Sequence, residues 1–346
     1  MNEKKAKGQY YTTNCDYILN GFAPPSDPCR IIEPFAGKGD LLKWLVDQGH
    51  AEPVEAYDIA PQTTDYTVVQ RDTLLDPPDY TDAWILTNPP YLARNKSENK
   101  AIFDHYDTND LYKCFLDSIG SNARGGVIII PAGFFFSPRD IDVRCRNRFL
   151  TQYSVQRVRY FEEQVFPDTT TTVVAFEFER SVVPLKEQSV EWISLPSGAT
   201  QIFQLSAIND WIIGGDIYRL PVPPGVKVRR WVEGSKLQEG EQITALTLCA
   251  LDSGRQDARI RLDFRPGYVY PAKESSRTFA TLCLRGAVLT LEQQQELCEK
   301  FNAFLEKKRV ETWSLFLPQY RESKEYARKR IPFELAYLIV LHLLLN

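Results

Sequence analysis

The segment Thr87–Tyr91, of sequence Thr-Asn-Pro-Pro-Tyr, carries the residues best suited to chemistry. The side-chain oxygen of Asn88 and the backbone carbonyl of Pro89 could accept the two N–H bonds of an amino group attached to an aromatic ring. Such a nitrogen is a poor nucleophile because its lone pair is delocalised into the ring. Two acceptors favour a tetrahedral nitrogen whose lone pair is available. Pro89 and Pro90 restrict the backbone and hold the acceptors rigidly, as electrostatic preorganisation requires.

Tyr91 could hold a flat substrate next to these acceptors. Its ring can stack on a nucleic-acid base, which contributes about 1–3 kcal/mol. Asn88 is not a strong base at neutral pH, so the proton would leave after group transfer and no buried acid–base pair is required. The alternative is a proline-stiffened turn with no chemical role. The position of the segment, after the fourth predicted strand, favours catalysis.

A glycine-containing turn lies upstream, where residues 33–40 read Glu-Pro-Phe-Ala-Gly-Lys-Gly-Asp. Gly37 and Gly39 let the backbone approach a ligand closely, and the N-terminus of the following helix favours negative charge. The dinucleotide-binding pattern would require a small residue where Leu42 stands. The turn therefore favours a cofactor that has a carboxylate but no pyrophosphate.

Acidic residues stand at the ends of three successive predicted strands. Glu33 ends the first, Asp58 the second and Asp72 the third. Asp58 could accept both hydroxyl protons of a ribose, and Asp72 could accept from the amino group of an adenine. Each carboxylate alone could equally be a helix cap or a turn residue. Because ligands bind at the carboxyl edge of open α/β sheets, the three together favour a cofactor site.

The elements that must position these residues alternate between strand and helix from residue 30 to 180. Alternation of this kind predicts an α/β fold with a mostly parallel sheet covered on both faces. The predicted strands are Arg30–Glu33, Pro53–Ile59, Thr67–Arg71, Trp84–Thr87 and Val127–Ile130, followed by a hairpin of Gln156–Phe161 with Thr172–Phe178. The predicted helices are Asp40–Gln48 (with Leu41, Leu42, Leu45 and Val46 on one face), Leu111–Ile119 and Arg139–Leu150.

The sequence changes character after Arg180. Prolines and glycines become frequent, and strand-like pieces such as Val226–Val232 follow without a βαβ rhythm. The stretch Leu291–Leu345 is strongly helical in pattern. We therefore predict two domains, residues 1–182 with the α/β sheet and residues 183–346 with an α+β architecture.

Composition narrows the class of protein. Among 346 residues, 43% are hydrophobic and 25% charged, which is typical of a globular protein. The longest apolar run, Leu335–Leu345, is too short to span a bilayer, and the basic N-terminus lacks the apolar core of a secretory signal. Seven scattered cysteines and three histidines show neither disulfide nor metal-ligand spacing. We expect a cytoplasmic protein with reduced thiols, no metal and no membrane contact.

The net charge of −4 gives no indication of nucleic-acid binding, so any such contact must depend on local clusters. One group of arginines follows the fifth predicted strand, and two short basic runs lie near the C-terminus. As candidates for phosphate contacts we consider Arg139, Arg144, Arg146, Arg148, Arg157, Arg159, Lys307–Arg309 and Arg328–Arg330.

Together, the motifs resemble the gamma-ordered N6-adenine DNA methyltransferases, including the modification enzymes of restriction systems. The resemblance covers residues 8 to about 180 and is carried most specifically by the motif order. The matching segments are Gly8–Thr12, Glu33–Gly39, Asp58 in Tyr-Asp-Ile-Ala-Pro, Asp72 in Arg-Asp-Thr-Leu-Leu, Asn88–Tyr91, Asn109–Leu116 and Val165–Pro167.

The resemblance implies a Rossmann-like sheet that binds S-adenosyl-L-methionine, with a C-terminal target-recognition domain. Its substrate would be a flipped adenine in double-stranded DNA, contacted by Phe166, and a cognate restriction endonuclease would be a partner. The implied catalytic residues are Asn88, Pro89, Pro90 and Tyr91. The implied cofactor-binding residues are Tyr11, Thr12, Glu33, Phe35, Ala36, Gly37, Gly39, Asp58, Ile59, Asp72, Leu74 and Asn88.

Other functions use similar motifs. RNA methyltransferases that act on adenine or guanine amino groups, and glutamine methyltransferases of release factors, also carry Asn-Pro-Pro-Tyr. The glutamine enzymes place their extra domain before the cofactor motif, whereas here it follows. Cytosine N4 enzymes usually carry Ser in place of Asn88. A catalytically silent DNA-binding scaffold would be expected to lack Asn88 or Asp58, and both are present.

Overall fold

The computed structural model describes residues 12–167, 169–252, 259–273, 278–320 and 327–345. The chain divides into two compact units. The first extends to Trp211, and the second begins at Ile212, with Ala327 returning to the first. The predicted cofactor contact Tyr11 lies outside the described residues.

Nine strands of the first unit form one sheet in the order β3-β2-β1-β4-β5-β7-β6-β8-β9. These are β1 Ile31–Glu33, β2 Glu55–Asp58, β3 Val69–Gln70, β4 Trp84–Thr87, β5 Gly125–Pro131, β6 Tyr153–Phe161, β7 Val173–Arg180, β8 Glu187–Leu195 and β9 Ala199–Ser206. Strands β1 to β5 are parallel, and β7 is antiparallel to both its neighbours. The predicted Rossmann-like α/β class is confirmed, with the strand order reversing between β1 and β4, where such sheets bind ligands.

Short helices connect these strands. They are α1 Cys15–Ile18, α2 Asp40–Asp47, α3 Ala101–His105, α4 Leu111–Ile119, α5 Gly133–Phe136 and α6 Asp140–Gln152, with 3₁₀ turns at Arg94–Lys96 and Ala207–Asn209. Helix α4 has the predicted bounds and buries Phe115, Leu116 and Ile119. In α2 the prediction for Val46 was wrong, because Val46 is exposed and Trp44 is buried in the core instead.

The packing of β4 against β5 depends on one glycine. A Cβ atom at Gly126 would lie 2.0 Å from the carbonyl oxygen of Ile85, closer than any real contact. Glycine therefore permits the register in which Thr87, the last residue of β4, lies opposite Ile128. That register places Asn88, the next residue, at the carboxyl edge of the sheet.

The predicted division at residues 182 and 183 is too early. Strand β8 pairs in parallel with β6, and β9 pairs with β8, so both belong to the first sheet. Val190 and Trp192 alternate with more exposed residues and are fully buried, and the Trp192 ring lies 5.5 Å from that of Phe135. The prolines at 184 and 196 flank strand β8 and do not mark a linker.

The second unit has an antiparallel sheet of order β10-β13-β11-β12. Its elements are β10 Lys227–Trp231, β11 Glu241–Cys249, β12 Arg261–Phe264, β13 Phe279–Arg285, α7 Leu291–Thr312, β14 Gln319–Tyr320, β15 Arg328–Lys329, α8 Phe333–Leu343 and a 3₁₀ turn at Gly215–Arg219. Helix α7 begins with a capping box between Thr290 and Gln293. The architecture is α+β as predicted, but β14 and β15 interrupt the helical pattern expected over Leu291–Leu345. None of the described helices is both long and apolar enough to cross a membrane.

Candidate functional site

A cavity of about 310 Å³ lies at the carboxyl ends of β1 to β4. Its volume is at the lower end of the range for small-molecule sites, about 300–1,000 Å³. The structure brings together on its lining eight of the predicted residues, Phe35, Gly37, Asp58, Ile59, Asp72, Leu74, Asn88 and Pro90. The other predicted residues that the structure describes lie outside this lining, namely Thr12, Glu33, Ala36, Gly39, Pro89, Tyr91 and Phe166.

The glycine turn after β1 is held by backbone hydrogen bonds. The Ala36 N–H donates to the carbonyl of Tyr57 on β2, and the Gly39 N–H donates to the carbonyl of Ala36. Gly37 lines the cavity, whereas a Cβ atom at Gly39 would lie 2.8 Å from the ring of Tyr66. Only Gly37 therefore fits the expected close approach to a ligand. Gly39 is required by its left-handed backbone, with φ of +83°, and by the packing of Tyr66.

Asp58 joins the ends of β1 and β2. Its Oδ2 accepts the Gly37 N–H at 2.9 Å, and its Oδ1 accepts the Ala60 N–H at 2.7 Å. The carboxylate is buried but lines the cavity. Each carboxylate oxygen has a second lone pair, so Asp58 can hold the turn and still accept a hydroxyl group of a ligand.

Another part of the cavity lining combines one carboxylate, that of Asp72, with apolar side chains. Asp72 accepts the N–H groups of Leu74 and Leu75 at 3.1 and 3.2 Å. Ile59 and Leu75 also line the cavity, and they are 48% and 67% exposed to solvent. Exposed apolar side chains beside a carboxylate suit a flat heteroaromatic ring that carries an amino group.

Glu33 lies fully buried behind the turn. Its Oε1 accepts the Phe35 N–H and the Thr87 hydroxyl, both at 2.9 Å, while its Oε2 has no hydrogen-bond partner among the described residues. Burial raises the pKa of Glu33 to about 8, although the two hydrogen bonds oppose the rise. Glu33 therefore links the end of β1 to Thr87, the residue before Asn88.

The raised pKa of Glu33 predicts a pH dependence of stability. The folded protein holds a proton that the unfolded chain releases, so the free energy of unfolding should fall as the pH rises from about 4.5 to about 8. Glu33→Gln keeps the acceptor for Thr87 but has no charge to desolvate, so its free energy of unfolding should fall less. Urea unfolding of both proteins across this pH window measures the difference. If the free energy of unfolding depends equally on pH in the two proteins, Glu33 does not have the raised pKa.

Asn88 is buried at the edge of the cavity, and both ends of its amide are bonded. Its Nδ2 donates to the Thr12 hydroxyl at 3.0 Å, and its Oδ1 accepts from the Tyr91 hydroxyl. The Thr12 contact joins positions 76 residues apart. The structure thus brings Thr12, from the predicted N-terminal motif, directly to the predicted catalytic residue.

The Tyr91 ring was expected to lie open for stacking on a base, but the structure orients the side chain differently. Its hydroxyl points inward, 2.8 Å from the carbonyl oxygen of Ile129 on β5, and its ring meets Tyr112 edge-on with a centroid separation of 6.4 Å. The side chain is 7% exposed. Tyr91 therefore anchors the turn to β5, and its stacking on a base stays a prediction.

No protein-family model and no curated protein matches the sequence. Among solved structures, the chain is similar to a modification subunit assigned to a type I restriction enzyme of Vibrio vulnificus YJ016, with 17% identity and a TM-score of 0.43 over 56% of this chain and 49% of that one. It is similar to the type IIG restriction endonuclease BpuSI, with 14% identity and a TM-score of 0.41 over 70% of this chain and 37% of that one.

A third similar structure is assigned as a class I S-adenosylmethionine-dependent methyltransferase from Listeria monocytogenes, with 13% identity and a TM-score of 0.38 over 53% of this chain and 64% of that one. The chain spans about half the length of the Vibrio protein. All three TM-scores lie below 0.5. At this level of similarity, only the residues of the chain itself bear on its activity.

Several lining residues were not predicted. They are Arg71, Thr73, Leu75, Leu92, Ser97, Asn99, Ile102 and Leu111. Four of them, from Leu92 to Ile102, lie in helix α3 or between the Asn88–Tyr91 tetrapeptide and that helix. This part of the sequence had no strand-end or glycine signal. Leu111 lies in the Asn109–Leu116 motif, so that motif could have indicated its place in the site.

Phe166, the predicted contact to the target base, lies between β6 and β7 and is 1% exposed. Its carbonyl accepts from the side chain of Gln164 at 2.9 Å. Contact with a base would require this segment to open, so the role of Phe166 stays a prediction.

The six arginines between residues 139 and 159 that were proposed to contact phosphates fall into two groups. Arg146 is fully buried and donates to the carbonyls of Phe134 and Asp210, and Arg159 donates to the carbonyl of Ile18 in α1. For these two the phosphate role is wrong, because their guanidinium groups satisfy buried backbone carbonyls. The remaining four form ion pairs with acids and are partly exposed: Arg139, Arg144, Arg148 and Arg157.

No group of three or more potential ligands for a metal ion occurs among the residues that the structure describes.

Proposed function

We propose that the chain is an S-adenosyl-L-methionine-dependent methyltransferase that acts on the N6 amino group of adenine in double-stranded DNA. The observation that carries this proposal is the shared cavity. Asn88 lies on the same lining as Asp58 and Asp72. An acceptor for an aromatic amine thus faces the sheet edge where carboxylates and apolar side chains suit an adenosine-containing cofactor.

The residues present fit this cofactor. Asp58 would accept the ribose hydroxyls, and Asp72 would accept the adenine amino group. Ile59 and Leu75 would cover the two faces of the adenine ring. The two carboxylates also match a cofactor that carries positive charge. When bound, S-adenosyl-L-methionine supplies an electrophilic methyl group.

The chain itself would activate and orient the amine. The Oδ1 atom of Asn88 would accept one N–H of the amine alongside the hydrogen bond that it receives from the Tyr91 hydroxyl. The Thr12 hydroxyl holds Nδ2 and thereby sets the direction of Oδ1. The carbonyl of Pro89 would accept the second N–H. Because the acceptors are fixed before the substrate arrives, little reorganisation accompanies the reaction.

The substrate must be extruded to reach this position. The N6 group of adenine in duplex DNA is stacked and paired, so the nucleotide would flip out of the helix, at a cost of a few kcal/mol of lost stacking and pairing. Tyr91 and Phe166 would contact the flipped base, and the second unit would recognise the target sequence. A cognate restriction endonuclease would be the partner of such an enzyme.

The test is direct product analysis. Purified protein is incubated with unmethylated duplex DNA and S-adenosyl-L-methionine carrying a deuterated methyl group, and the DNA is digested to nucleosides for mass spectrometry. The label is expected in N6-methyldeoxyadenosine and in no other nucleoside. Long-read sequencing of DNA from cells that express the chain would then identify the recognition sequence.

Three outcomes would contradict the proposal. Label in a cytosine would show that the target base is not adenine. Label found only in structured RNA, tested in a parallel reaction, would show that the substrate is not DNA. Cofactor binding with no transfer to either polymer would indicate a catalytically silent scaffold. The Asn20→Ala protein, altered at an exposed asparagine of the same unit, serves as the matched control for a loss caused by Asn88→Ala.

A further inference from the structure

The chain that follows the tetrapeptide is tied to the start of helix α4. The Leu92 N–H donates to the Oδ1 of Asp110 at 3.1 Å, and the Leu111 N–H donates to the carbonyl of Leu92 at 3.3 Å. The Arg94 N–H donates to the carbonyl of Asn109 at 2.9 Å. Two of these hydrogen bonds join backbone groups, and the third uses the side chain of Asp110. A substitution at Asp110 can therefore remove the third bond without directly altering the other two.

Asp110 occupies the N-cap position of α4 but makes no side-chain capping hydrogen bond there. An aspartate at this position normally accepts from the first turn of its own helix. Here its Oδ1 accepts from Leu92 instead. Desolvation raises the pKa of Asp110 to about 6, opposed by Lys113 and by the nearby backbone N–H groups. The side chain of Asp110 is thus used to hold the chain after the tetrapeptide.

The start of α4 is itself firmly anchored. Lys113 donates to the side chain of Asn109 at 2.6 Å and forms an ion pair with Asp142 in α6. Both partners of that pair are only 3% exposed. Asp142 also accepts from Arg139 at 2.7 Å. Leu92 is therefore bonded to a rigid part of the molecule and not to a mobile loop.

The Asn88–Tyr91 tetrapeptide is thus held at both ends by a carboxyl group, which is fully buried at Glu33 and half-buried at Asp110. Before it, Glu33 accepts from the Thr87 hydroxyl at 2.9 Å, and after it Asp110 accepts from the Leu92 N–H. The two prolines leave few soft torsions between these points. Fixing Thr87 and Leu92 therefore fixes the direction of the Asn88 amide.

We propose that Asp110 is a positioning residue, which sets the reacting geometry of Asn88 through its hydrogen bond to Leu92. This inference rests on the proposed function, because Asn88 has a reacting geometry only if it accepts the substrate amine. A misplacement of about 1 Å in a catalytic group can cost about a hundredfold in rate. Asp110 touches neither substrate nor cofactor in this account and acts only through the turn.

Three variants test the position of the acceptor oxygen. Asp110→Ala removes it and is expected to lower kcat about tenfold, with the KM values for cofactor and DNA little changed. Asp110→Asn retains an oxygen at the same place and should restore most of kcat. Asp110→Glu keeps the charge but moves the oxygen by about one methylene, so it should lose kcat. Asp104→Ala, at an exposed acid that pairs with Arg94, is the matched control and should behave as wild type.

Hydrogen exchange gives a readout that does not need activity. The Leu92 N–H should exchange slowly in the wild type and in Asp110→Asn, and quickly in Asp110→Ala, while the thermal midpoints remain close. If Asp110→Ala is unfolded, the contrast between Asp110→Asn and Asp110→Glu carries the test.

The inference is overturned if folded Asp110→Ala keeps the wild-type kcat. If Asp110→Ala is unfolded, a wild-type kcat in Asp110→Glu overturns it. It is also overturned if Asp110→Asn is as slow as Asp110→Ala, or if the exchange of the Leu92 N–H is unchanged in Asp110→Ala. A wild-type protein that methylates no DNA refutes the proposed function instead. The exchange experiment would then still decide whether Asp110 holds the turn.

Discussion

Replacing Asn88 by alanine is expected to lower kcat for methyl transfer by about a hundredfold to a thousandfold, the usual cost of losing one preorganised polar group. Alanine removes the acceptor for the substrate amine and the partner of the Thr12 hydroxyl. The affinity for S-adenosyl-L-methionine should remain largely intact, because Asp58, Asp72 and the apolar walls are unchanged. Single-turnover rates and calorimetric titration of the cofactor measure the two quantities separately.

A conservative change distinguishes the lost acceptor from a disturbed turn. Asn88→Asp retains acceptor oxygens but cannot donate to Thr12, so it should keep more activity than Asn88→Ala. Asn20→Ala should be indistinguishable from wild type. Near-normal kcat in Asn88→Ala would show that the assigned acceptor has no role in catalysis.

Replacing Asp58 by alanine should act on cofactor binding. A hydrogen bond to a charged group contributes about 1.5–3 kcal/mol, which corresponds to about a tenfold to hundredfold loss of affinity. The loss has two sources, because Asp58 would bind the ribose and also holds the N–H groups of Gly37 and Ala60. At saturating cofactor, kcat should recover to a large fraction of the wild-type value, since the Asn88 turn is untouched.

Calorimetric titration with S-adenosyl-L-homocysteine, which lacks the reactive methyl group, measures this affinity without turnover. Asp65→Ala, at an exposed acid beyond β2, is the matched control and should bind normally. Thermal melting of Asp58→Ala without ligand separates a collapsed glycine turn from a lost ribose contact. Unchanged affinity in a folded Asp58→Ala protein would refute the ribose role.

Much of the first unit could be predicted because its elements obey local rules. The bounds of β4 and α4 were predicted to the residue, and the hairpin of β6 and β7 was predicted to within a few residues. Strand ends in a parallel sheet meet at one edge, so the sequence alone places Asp58, Asp72 and Asn88 together.

The rest depended on tertiary contacts that leave no local signal. Nothing near Arg146 indicates that its guanidinium satisfies the carbonyl of Asp210, a residue 64 positions away. The inward turn of the Tyr91 hydroxyl depends on Ile129 in the neighbouring strand. Strand β8 was placed in the wrong domain because it pairs with β6, and β7 lies between these two strands in the sequence. Prolines around such a strand then resemble a linker.

The central claim is that the Asn-Pro-Pro turn faces the binding site of the cofactor. A crystal structure of the full chain with S-adenosyl-L-homocysteine tests it most directly. The account predicts the ribose hydroxyls within hydrogen-bonding distance of Asp58, the adenine between Ile59 and Leu75, and the sulfur atom next to Asn88. Density for the ligand at any other place, or a sulfur atom remote from Asn88, would contradict it.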